Sequence, residues 1–583
     1  MKSNETFRRH ARVLLAGLVL GASLLNAAED ITTPVATAAS ITTSTNGTRS
    51  PSDEIAQLRA LLAAQQKQLE ALQHAVEQQQ KVLEKTADST NALQTLRPNL
   101  GSVASITPVL PVPAAAMPAI PAYPAPQAAP MATGGNPCEA GPDATVPPYI
   151  RLGNTCMIPI GFMDLTPLWR DKNAGSSMGS NFGSIPYNNT VNGNLSEFRF
   201  SPQNSRIGFR FDGDWKGTHF IGYNEFDFNG TSGSNGIAVS NGAFVPRLRL
   251  FWVDVRKDKL EFLAGQSWSL LTPNRKGLSA LPGDLFYTQV IDINYMAGLT
   301  WTRQPGMRII FHPSDKVTFG VSAEQADQYG GGSAGGSGIT LPAAYASLSN
   351  AQLDVAQNVS AGQNILNQPT VVPDIIAKIA FDPSSKFHFE VGGIESAFKT
   401  VNPSLLSQHF TASGEGLLFG ANAEVVPGIR LITTNFYSDG EGRYLFGQAP
   451  DLIVRANGTL SPIHADGTID GIEATVRNTL LYAYYGGIYI DRNTAYDANG
   501  TTMIGYGYHG SANSQNRSIN EVTFGFNQTM WRNPRYGAIN LMGQYEWLER
   551  DPWYVAAGAP KATHDSTIYI NIRYSLPGSM PNF

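Results

Sequence analysis

The sequence is poor in charge and in cysteine for its length. Only 15% of its 583 residues are Asp, Glu, Lys or Arg, it has two cysteines, and its formal net charge is −5. Nucleic acids select strongly basic surfaces, so this balance gives no reason to expect such a partner. After its first residues the chain also lacks an apolar run approaching the ~20 residues of a spanning helix.

Motifs for catalysis are missing as well. The histidines are scattered without the short spacing of metal ligands. Gly440-Glu441-Gly442 lacks the strand–glycine–helix context of a dinucleotide-binding loop. No set of nucleophile, base and oxyanion donor can be assigned. The sequence therefore predicts neither an enzyme nor a bound cofactor.

The chain is instead rich in glycine, with 57 residues, and in segments of alternating polarity. Near the end, Ile570 and Ile572 alternate with Asn571 and Arg573. A strand needs this alternation when one face meets lipid and the other meets water. Short turns and long loops separate such segments. Residues 149–583 are therefore predicted to form a transmembrane, all-β antiparallel barrel of about 16 strands, with a water-filled lumen.

Two local features of this pattern are less regular. After Trp252 the alternation breaks at Asp254-Val255-Arg256-Lys257, which we interpret as a turn. Leu248, Leu250 and Trp252 are assigned to one strand face. Aromatic side chains gather at membrane interfaces, and we interpret one cluster of tyrosines in this way. It comprises Tyr482, Tyr484, Tyr485 and Tyr489.

Residues 1–28 have the pattern of a secretory signal peptide. A basic start precedes the short apolar run from Val13 to Leu25, and Ala27 and Ala28 supply small residues for cleavage. The alternative, a membrane anchor, would need a longer run. Export places the chain in an oxidising compartment, so Cys138 and Cys156 are predicted to form a disulfide rather than to remain free thiols.

Three segments separate the signal peptide from the barrel. Residues 29–51 are rich in Thr, Ser and Ala and are predicted to be disordered. Residues 52–96 carry a heptad pattern and predict a periplasmic coiled coil, with a lone amphipathic helix as the alternative. Residues 97–148 form a semi-rigid Pro/Ala-rich linker. The predicted coiled-coil core consists of Ile55, Leu58, Leu62, Leu69, Leu72, Val76 and Leu83.

Six arginines share the non-lipid phase of their strands. Guanidinium groups in a wet lumen attract anions and can hold a carboxylate with two hydrogen bonds. The alternative is that they pair with nearby acidic residues such as Glu225 and Asp227, which would leave the lumen unselective. The predicted pore-lining residues are Arg199, Arg206, Arg210, Arg247, Arg249 and Arg308.

Several local sequences resemble the DcaP-like family of trimeric outer-membrane porins. They are Ser205-Arg206-Ile207-Gly208-Phe209, Leu263-Ala264-Gly265-Gln266-Ser267-Trp268-Ser269, Arg303-Gln304-Pro305, Pro373-Asp374 and Asp439-Gly440-Glu441-Gly442-Arg443-Tyr444. The resemblance implies a homotrimer, uptake of small anions such as dicarboxylates, and a loop folded into the pore around Thr272 to Phe286. The chain departs from the family pattern in its long Pro/Ala spacer, its cysteine pair and its Gly330–Val372 loop.

Together these features predict a bacterial outer-membrane protein with its N-terminal region in the periplasm. The leading hypothesis is a passive diffusion channel for small hydrophilic, anionic solutes. The alternative is a structural protein that contacts the cell wall through its coiled coil and tethers the envelope. A barrel-embedded lipase-like enzyme is a third hypothesis, which the missing catalytic motifs disfavour.

Overall fold

The computed structural model describes the C-terminal three quarters of the chain. The described residues are 149–174, 176–230, 245–286, 288–331, 338–346, 367–369, 372–402 and 404–579. The predicted signal peptide, disordered segment, coiled coil with its core from Ile55 to Leu83, and linker lie outside the described residues, as does Cys138.

In the described part of the chain, sixteen antiparallel strands close into one barrel. Strand β1 pairs with both segments of β2 on one side and with β16 on the other, which closes the wall. The predicted antiparallel barrel of about 16 strands is thereby confirmed. The strands are β1, Thr155–Arg170; β2, Glu197–Ser201 and Arg206–Trp215; β3, Thr218–Gly230; β4, Val245–Lys257; β5, Leu260–Trp268; β6, Arg303–Ser314; β7, Val317–Glu324; β8, Asp374–Ser384; β9, Phe387–Asn402; β10, Leu405–Val426; β11, Ile429–Asp439; β12, His464–Val476; β13, Thr479–Ile490; β14, Asn516–Asn533; β15, Gly537–Pro552; and β16, Thr563–Ser575.

Small elements decorate the barrel. Strand Ile150–Leu152 pairs with the start of β1. The other short paired strands are Asp327–Tyr329 with Asn367–Pro369, Leu452–Val454 with Leu460–Pro462, and Asn493–Tyr496 with Met503–Tyr506. One helical turn covers Ala343–Ala346, and 3-10 turns cover Phe182–Ser184, Asn192–Asn194, Gly442–Tyr444 and Pro577–Ser579. Within the described ranges, no helix is both long and apolar enough to cross a membrane.

The two ends of the barrel differ in the length of their connections. At one end, tight turns such as Lys216-Gly217 join the strands, and both of these residues have positive φ, at 50° and 75°. Two-residue turns of this kind match the twist of paired strands. At the other end, connections such as 171–196 and 269–302 are far longer. Short turns at the periplasmic end and long loops outside are typical of outer-membrane barrels.

Strand β2 illustrates why this sequence makes a barrel wall. Phe198 and Phe200 are 60% and 62% exposed on the outer face, whereas Ser201 is buried. Arg206 and Arg210 project inward beside the neighbouring strands, with Ile207 exposed on the outside between them. The result is an apolar outer belt suited to lipid and a polar inner surface.

Strand β4 departs from simple alternation. Its register against β3 shifts at Glu225/Phe226, so that Arg249 is the extra residue of a bulge. A bulge reverses the phase of the residues that follow. Leu248 is therefore exposed, but Leu250 and Trp252 are buried inside, and assigning all three to one face was wrong. The strand also continues to Lys257, so the predicted turn at 254–257 is wrong too.

The tyrosines of β13 divide between the two faces. Tyr485 and Tyr489 are 42% and 40% exposed on the outer wall, where interfacial aromatics belong. Tyr482 and Tyr484 are buried on the inner face, so their assignment to the membrane interface was wrong. Strand alternation places Tyr484 and Tyr485 on opposite sides, although they are neighbours in sequence.

The start of β1 carries Cys156. Its side chain is fully buried, and the residue is disulfide-bonded. Because Cys138 is not among the described residues, its pairing with Cys156 stays a prediction.

Candidate functional site

The long connection between β5 and β6, residues 269–302, folds into the barrel; we refer to it as the crossing loop. Leu271, Leu278 and Met296 on this loop are at most 1% exposed. Apolar side chains on a loop that does not face lipid must be buried elsewhere, and the lumen provides that space. The inward segment expected from the family resemblance, Thr272 to Phe286, lies within this loop.

Carboxylates of the near wall hold the first part of the crossing loop through its backbone. The amide of Leu270 donates to Glu324 on β7 at 2.8 Å. The amide of Asn274 donates to Glu390 on β9 at 3.0 Å. Charged acceptors strengthen such bonds, so these contacts fix the path of the loop near its root.

The loop then reaches the opposite wall. Arg275 forms a bidentate ion pair with Glu473 on β12, at 2.6 and 2.9 Å. The amide of Ala297 donates to Glu521 on β14 at 2.9 Å. Strands β12 to β14 are about half a circumference from β5 and β6 in a 16-strand barrel. The loop therefore crosses the lumen and narrows it.

Glycines allow the loop backbone to approach the far wall closely; we refer to Gly467, Gly486 and Gly487 as the glycine notch. A Cβ atom at Gly486 would overlap the carbonyl oxygen of Ala297. Gly298 has a φ of +88°, and a Cβ there would overlap the carbonyl oxygen of Thr468. The absence of side chains at these positions is what lets loop and wall meet backbone to backbone.

Five of the six predicted pore arginines pair with carboxylates on their own or adjacent strands, and four of these five are only partly buried. The donor–acceptor distances are 2.6 Å for Arg199–Glu197, 3.7 Å for Arg206–Glu225, 2.7 Å for Arg210–Asp212 and 2.6 Å for Arg247–Asp227. Acidic neighbours therefore offset part of the charge of these arginines.

Arg249 and Arg308 are buried more deeply. Arg249 contacts Glu225 at 2.6 Å and Asp227 at 2.8 Å, and it is 2% exposed. Arg308 is 4% exposed and donates to the Ser267 hydroxyl at 2.7 Å and to the Trp268 carbonyl. Arg308 thus braces the end of β5, where the crossing loop begins.

Arg303, which the sequence analysis did not select, is the arginine with the fewest polar contacts in this region. Its guanidinium carbon lies 5.3 Å from the Trp268 ring centre and 5.2 Å from that of Trp301. Its Nη1 atom is buried and has no hydrogen-bond partner among the described residues. The guanidinium is thus held mainly by two indole rings, as a cation–π contact allows.

Strand alternation alone does not place Arg303 in the lumen. It shares the phase of Pro305 and Met307, which are exposed on the outer face of β6. At the strand end, however, it stands opposite Trp268, which is buried with the lumen side chains. The sequence does place Trp268 at one end of the loop and Trp301 and Arg303 at the other, and this is the pattern that could have indicated their contact.

These groups form one assembly, which we call the arginine–tryptophan cluster. Four guanidinium groups meet two carboxylates there, so the cluster carries excess positive charge. The Tyr295 hydroxyl accepts a hydrogen bond from Arg249 at 3.1 Å. The members are Arg206, Arg247, Arg249, Arg303, Glu225, Asp227, Trp268, Tyr295 and Trp301.

Tyr295, on the crossing loop, reports this excess charge. Burial acts to raise the pKa of its phenol, but the guanidinium groups of Arg249, Arg206 and Arg303 outweigh burial and hold that pKa below its ordinary value. A neighbouring positive charge favours the anionic form of an acid. The same field would favour a dissolved anion that approaches the cluster.

A second part of the crossing loop is held by carboxylate contacts. Asp292 accepts hydrogen bonds from the Ser180 amide at 2.7 Å and from the Tyr569 hydroxyl at 3.0 Å. Burial raises the pKa of Asp292 above its usual range.

Within the described ranges, no group of three or more His, Cys, Asp or Glu side chains could hold a metal ion.

Comparison with known structures supports the fold. The outer-membrane channel DcaP of Acinetobacter baumannii matches with a TM-score of 0.53 and 17% identity, over 74% of this chain and 100% of that one. An anion-selective porin from Comamonas acidovorans matches with a TM-score of 0.41 and 12% identity, over 72% and 99%. At this identity the first match shows a shared fold, as the sequence motifs indicated, and the second supports no conclusion. No family model and no curated protein sequence matches the chain.

Proposed function

We propose that this protein is an outer-membrane porin through which small hydrophilic solutes diffuse passively, with a preference for anions. The closed barrel with an apolar outer belt and a polar interior supports a membrane channel. The shared fold with an outer-membrane channel supports the same compartment.

The preference for anions is carried by one observation. The arginine–tryptophan cluster holds four guanidinium groups against two carboxylates, at the root of the loop that crosses the lumen. Fixed positive charge at a narrow point favours anions over cations. Guanidinium groups also match the planar geometry of a carboxylate, which makes dicarboxylate-like solutes the proposed class.

Planar-bilayer recording under a salt gradient tests this proposal. We expect a reversal potential of the sign that indicates anion flux, and faster liposome swelling with a dicarboxylate than with a cation of similar size. A reversal potential that favours cations would refute anion preference. Absence of stepwise conductance from folded protein would refute the channel itself.

We further propose a homotrimer with the N-terminal region in the periplasm. The heptads of residues 52–96 favour association of copies, and the short-turn end of a barrel normally faces the periplasm. Cross-linking in a mild detergent extract should then give trimers. Monomers alone would contradict this arrangement.

The alternative function is an envelope tether that reaches the cell wall through the coiled coil. The heptad pattern followed by a Pro/Ala-rich linker is the observation that favours it. Deleting residues 52–96 separates the two functions. Unchanged conductance with a weakened envelope would favour the tether, whereas an intact envelope would refute it.

A further inference from the structure

Exposed basic side chains concentrate at the short-turn end of the barrel. Six of the seven tight turns in the described structure carry at least one, and only Pro427-Gly428 does not. The two exposed carboxylates among these turns are Asp258 and Asp315. We refer to the nine cations as the basic rim, which consists of Lys216, Arg256, Lys257, Lys259, Lys316, Lys386, Arg477, Arg532 and Arg535.

The basic rim is not explained by the charge of the whole chain. The formal net charge is −5, yet at these turns and the strand ends beside them nine exposed cations face two exposed carboxylates and the partly exposed Asp214 and Glu424. Few of the cations are held by ion pairs. Lys386 lies 3.9 Å from Glu424, and the Lys386 side chain is 57% exposed, so that contact is weak. The rim thus presents an excess of positive charge.

The position of the rim relative to the apolar belt identifies its partner. Trp215 is 63% exposed and adjoins Lys216, Trp531 is 43% exposed and adjoins Arg532, and Tyr536 is 65% exposed. Such aromatics occupy the boundary between hydrocarbon and headgroups. One residue of strand advances about 3.3 Å, so the neighbouring cations reach the level of the lipid phosphates.

We propose that the basic rim binds anionic phospholipid in the periplasmic leaflet and enriches it around the barrel. This inference rests on the proposed membrane location and orientation. The Lys216 ammonium lies 5.0 Å from the Trp215 ring centre, so a cation and an interfacial ring already act together at one turn. A solvated rim that serves only solubility would not need its cations beside lipid-facing rings.

Quenching of tryptophan fluorescence by brominated lipid tests the proposal. The full-length protein is reconstituted in phosphatidylcholine that contains either brominated phosphatidylglycerol or brominated phosphatidylcholine at equal mole fraction. Trp215 and Trp531 report on lipid at the rim. One favourable cation–lipid contact corresponds to about a fivefold preference, so we expect stronger quenching by the anionic lipid, and less at high salt.

Two triple variants make the test specific. Lys216→Gln, Lys386→Gln and Arg535→Gln together remove three of the nine rim cations and should lower the preference for the anionic lipid measurably. Arg455→Gln, Arg517→Gln and Lys561→Gln remove the same charge from exposed sites at the opposite end and should leave it unchanged. In a Trp215→Phe, Trp531→Phe variant, the difference between the two lipids should shrink.

Equal quenching by both lipids in the wild type would overturn the proposal. So would an unchanged preference in the rim variant, or binding to purified peptidoglycan through the rim without any lipid preference. Conductance recorded in neutral bilayers is measured on the same proteins. A channel that conducts but shows no lipid preference would refute lipid binding by the rim and leave the porin function intact. A folded protein that does not conduct but prefers the anionic lipid would refute the porin function alone.

Discussion

The guanidinium carbon of Arg303 lies 5.3 Å from the ring centre of Trp268, its cross-strand partner. This pair stands where the crossing loop leaves the wall. It holds a positive charge that no described carboxylate pairs with directly, since the polar contacts of Arg247 and Arg249 already use Glu225 and Asp227.

Replacing Arg303 with Gln should weaken anion preference. A unit charge about 7 Å from an ion in water contributes roughly 0.6 kcal/mol, favourable for an anion and unfavourable for a cation, so the anion-to-cation permeability ratio should fall by about sevenfold. Reversal potentials in planar bilayers measure this ratio. Arg199→Gln is the matched control, because Arg199 is paired with Glu197 outside the cluster and should have a smaller effect. Equal effects of the two variants would contradict a special role for Arg303.

Anion preference should also decline at alkaline pH through Tyr295. The guanidinium groups outweigh burial and lower the pKa of this phenol. The phenol therefore ionises at a lower pH than a free tyrosine, whose pKa is about 10. That charge offsets part of the cluster's positive field. Selectivity measured from about pH 7 to pH 10 should fall more steeply in the wild type than in Tyr295→Phe. Identical profiles would show that Tyr295 does not titrate in this range.

Lys378 should be important for stability. Its ammonium lies 2.8 Å from Glu390, with both side chains fully buried, and it also donates to the Thr272 carbonyl on the crossing loop. Lys378→Ala would remove the ammonium from buried Glu390 and leave His388, at 3.2 Å, as its remaining basic neighbour, which costs about 3 kcal/mol of unfolding free energy. Thermal unfolding in detergent measures the loss. Lys386→Ala removes a lysine from an exposed pair and should change stability by less than about 1 kcal/mol.

The glycine notch should be sensitive to one added methyl group. Gly486→Ala would push Ala297 and the crossing loop away from the far wall, costing about 1–3 kcal/mol and increasing open-channel noise. Single-channel recording measures the noise. Gly283 is on the same loop, and a Cβ atom there would meet no atom within 4 Å. Gly283→Ala should therefore leave the noise unchanged. A quiet Gly486→Ala channel would mean that the loop is held by its side chains alone.

A disulfide between Cys138 and Cys156 would close a loop of moderate length. Intact-mass measurement before and after reduction should show the gain of two hydrogens. Cys156→Ser should lower stability by about 3 kcal/mol, the value expected for a loop of about 15 residues. Two alkylatable thiols in protein isolated without reductant would contradict the pairing.

The barrel could be predicted because its signal is local. Phe198 and Arg199 take opposite faces by strand geometry alone, and many such pairs point to one architecture. The position of the inward loop followed from family resemblance. The pairing of Arg249 could not be predicted in detail, because it depends on a bulge that moves it toward Glu225. Arg303 was missed because it acts at a strand end, where alternation no longer decides direction.

Tyr484 shows the same limit on the far wall. Its hydroxyl donates to Glu473 at 2.6 Å and accepts from the amide of Gln289 on the crossing loop. Sequence composition marks it as aromatic but cannot tell an interfacial ring from one that supports a loop. Gln289 and Tyr484 are nearly 200 positions apart in the sequence, and only the tertiary structure brings them together.

The seam between β1 and β16 has a consequence for biogenesis. Phe162 stands opposite Ser575, so the earliest and latest strands of the wall are direct neighbours. Without β16 the sheet keeps two unsatisfied edges, which invite pairing with other chains. Any truncation before residue 563 should therefore yield a chain that cannot close its barrel and that associates with other chains through the exposed edges.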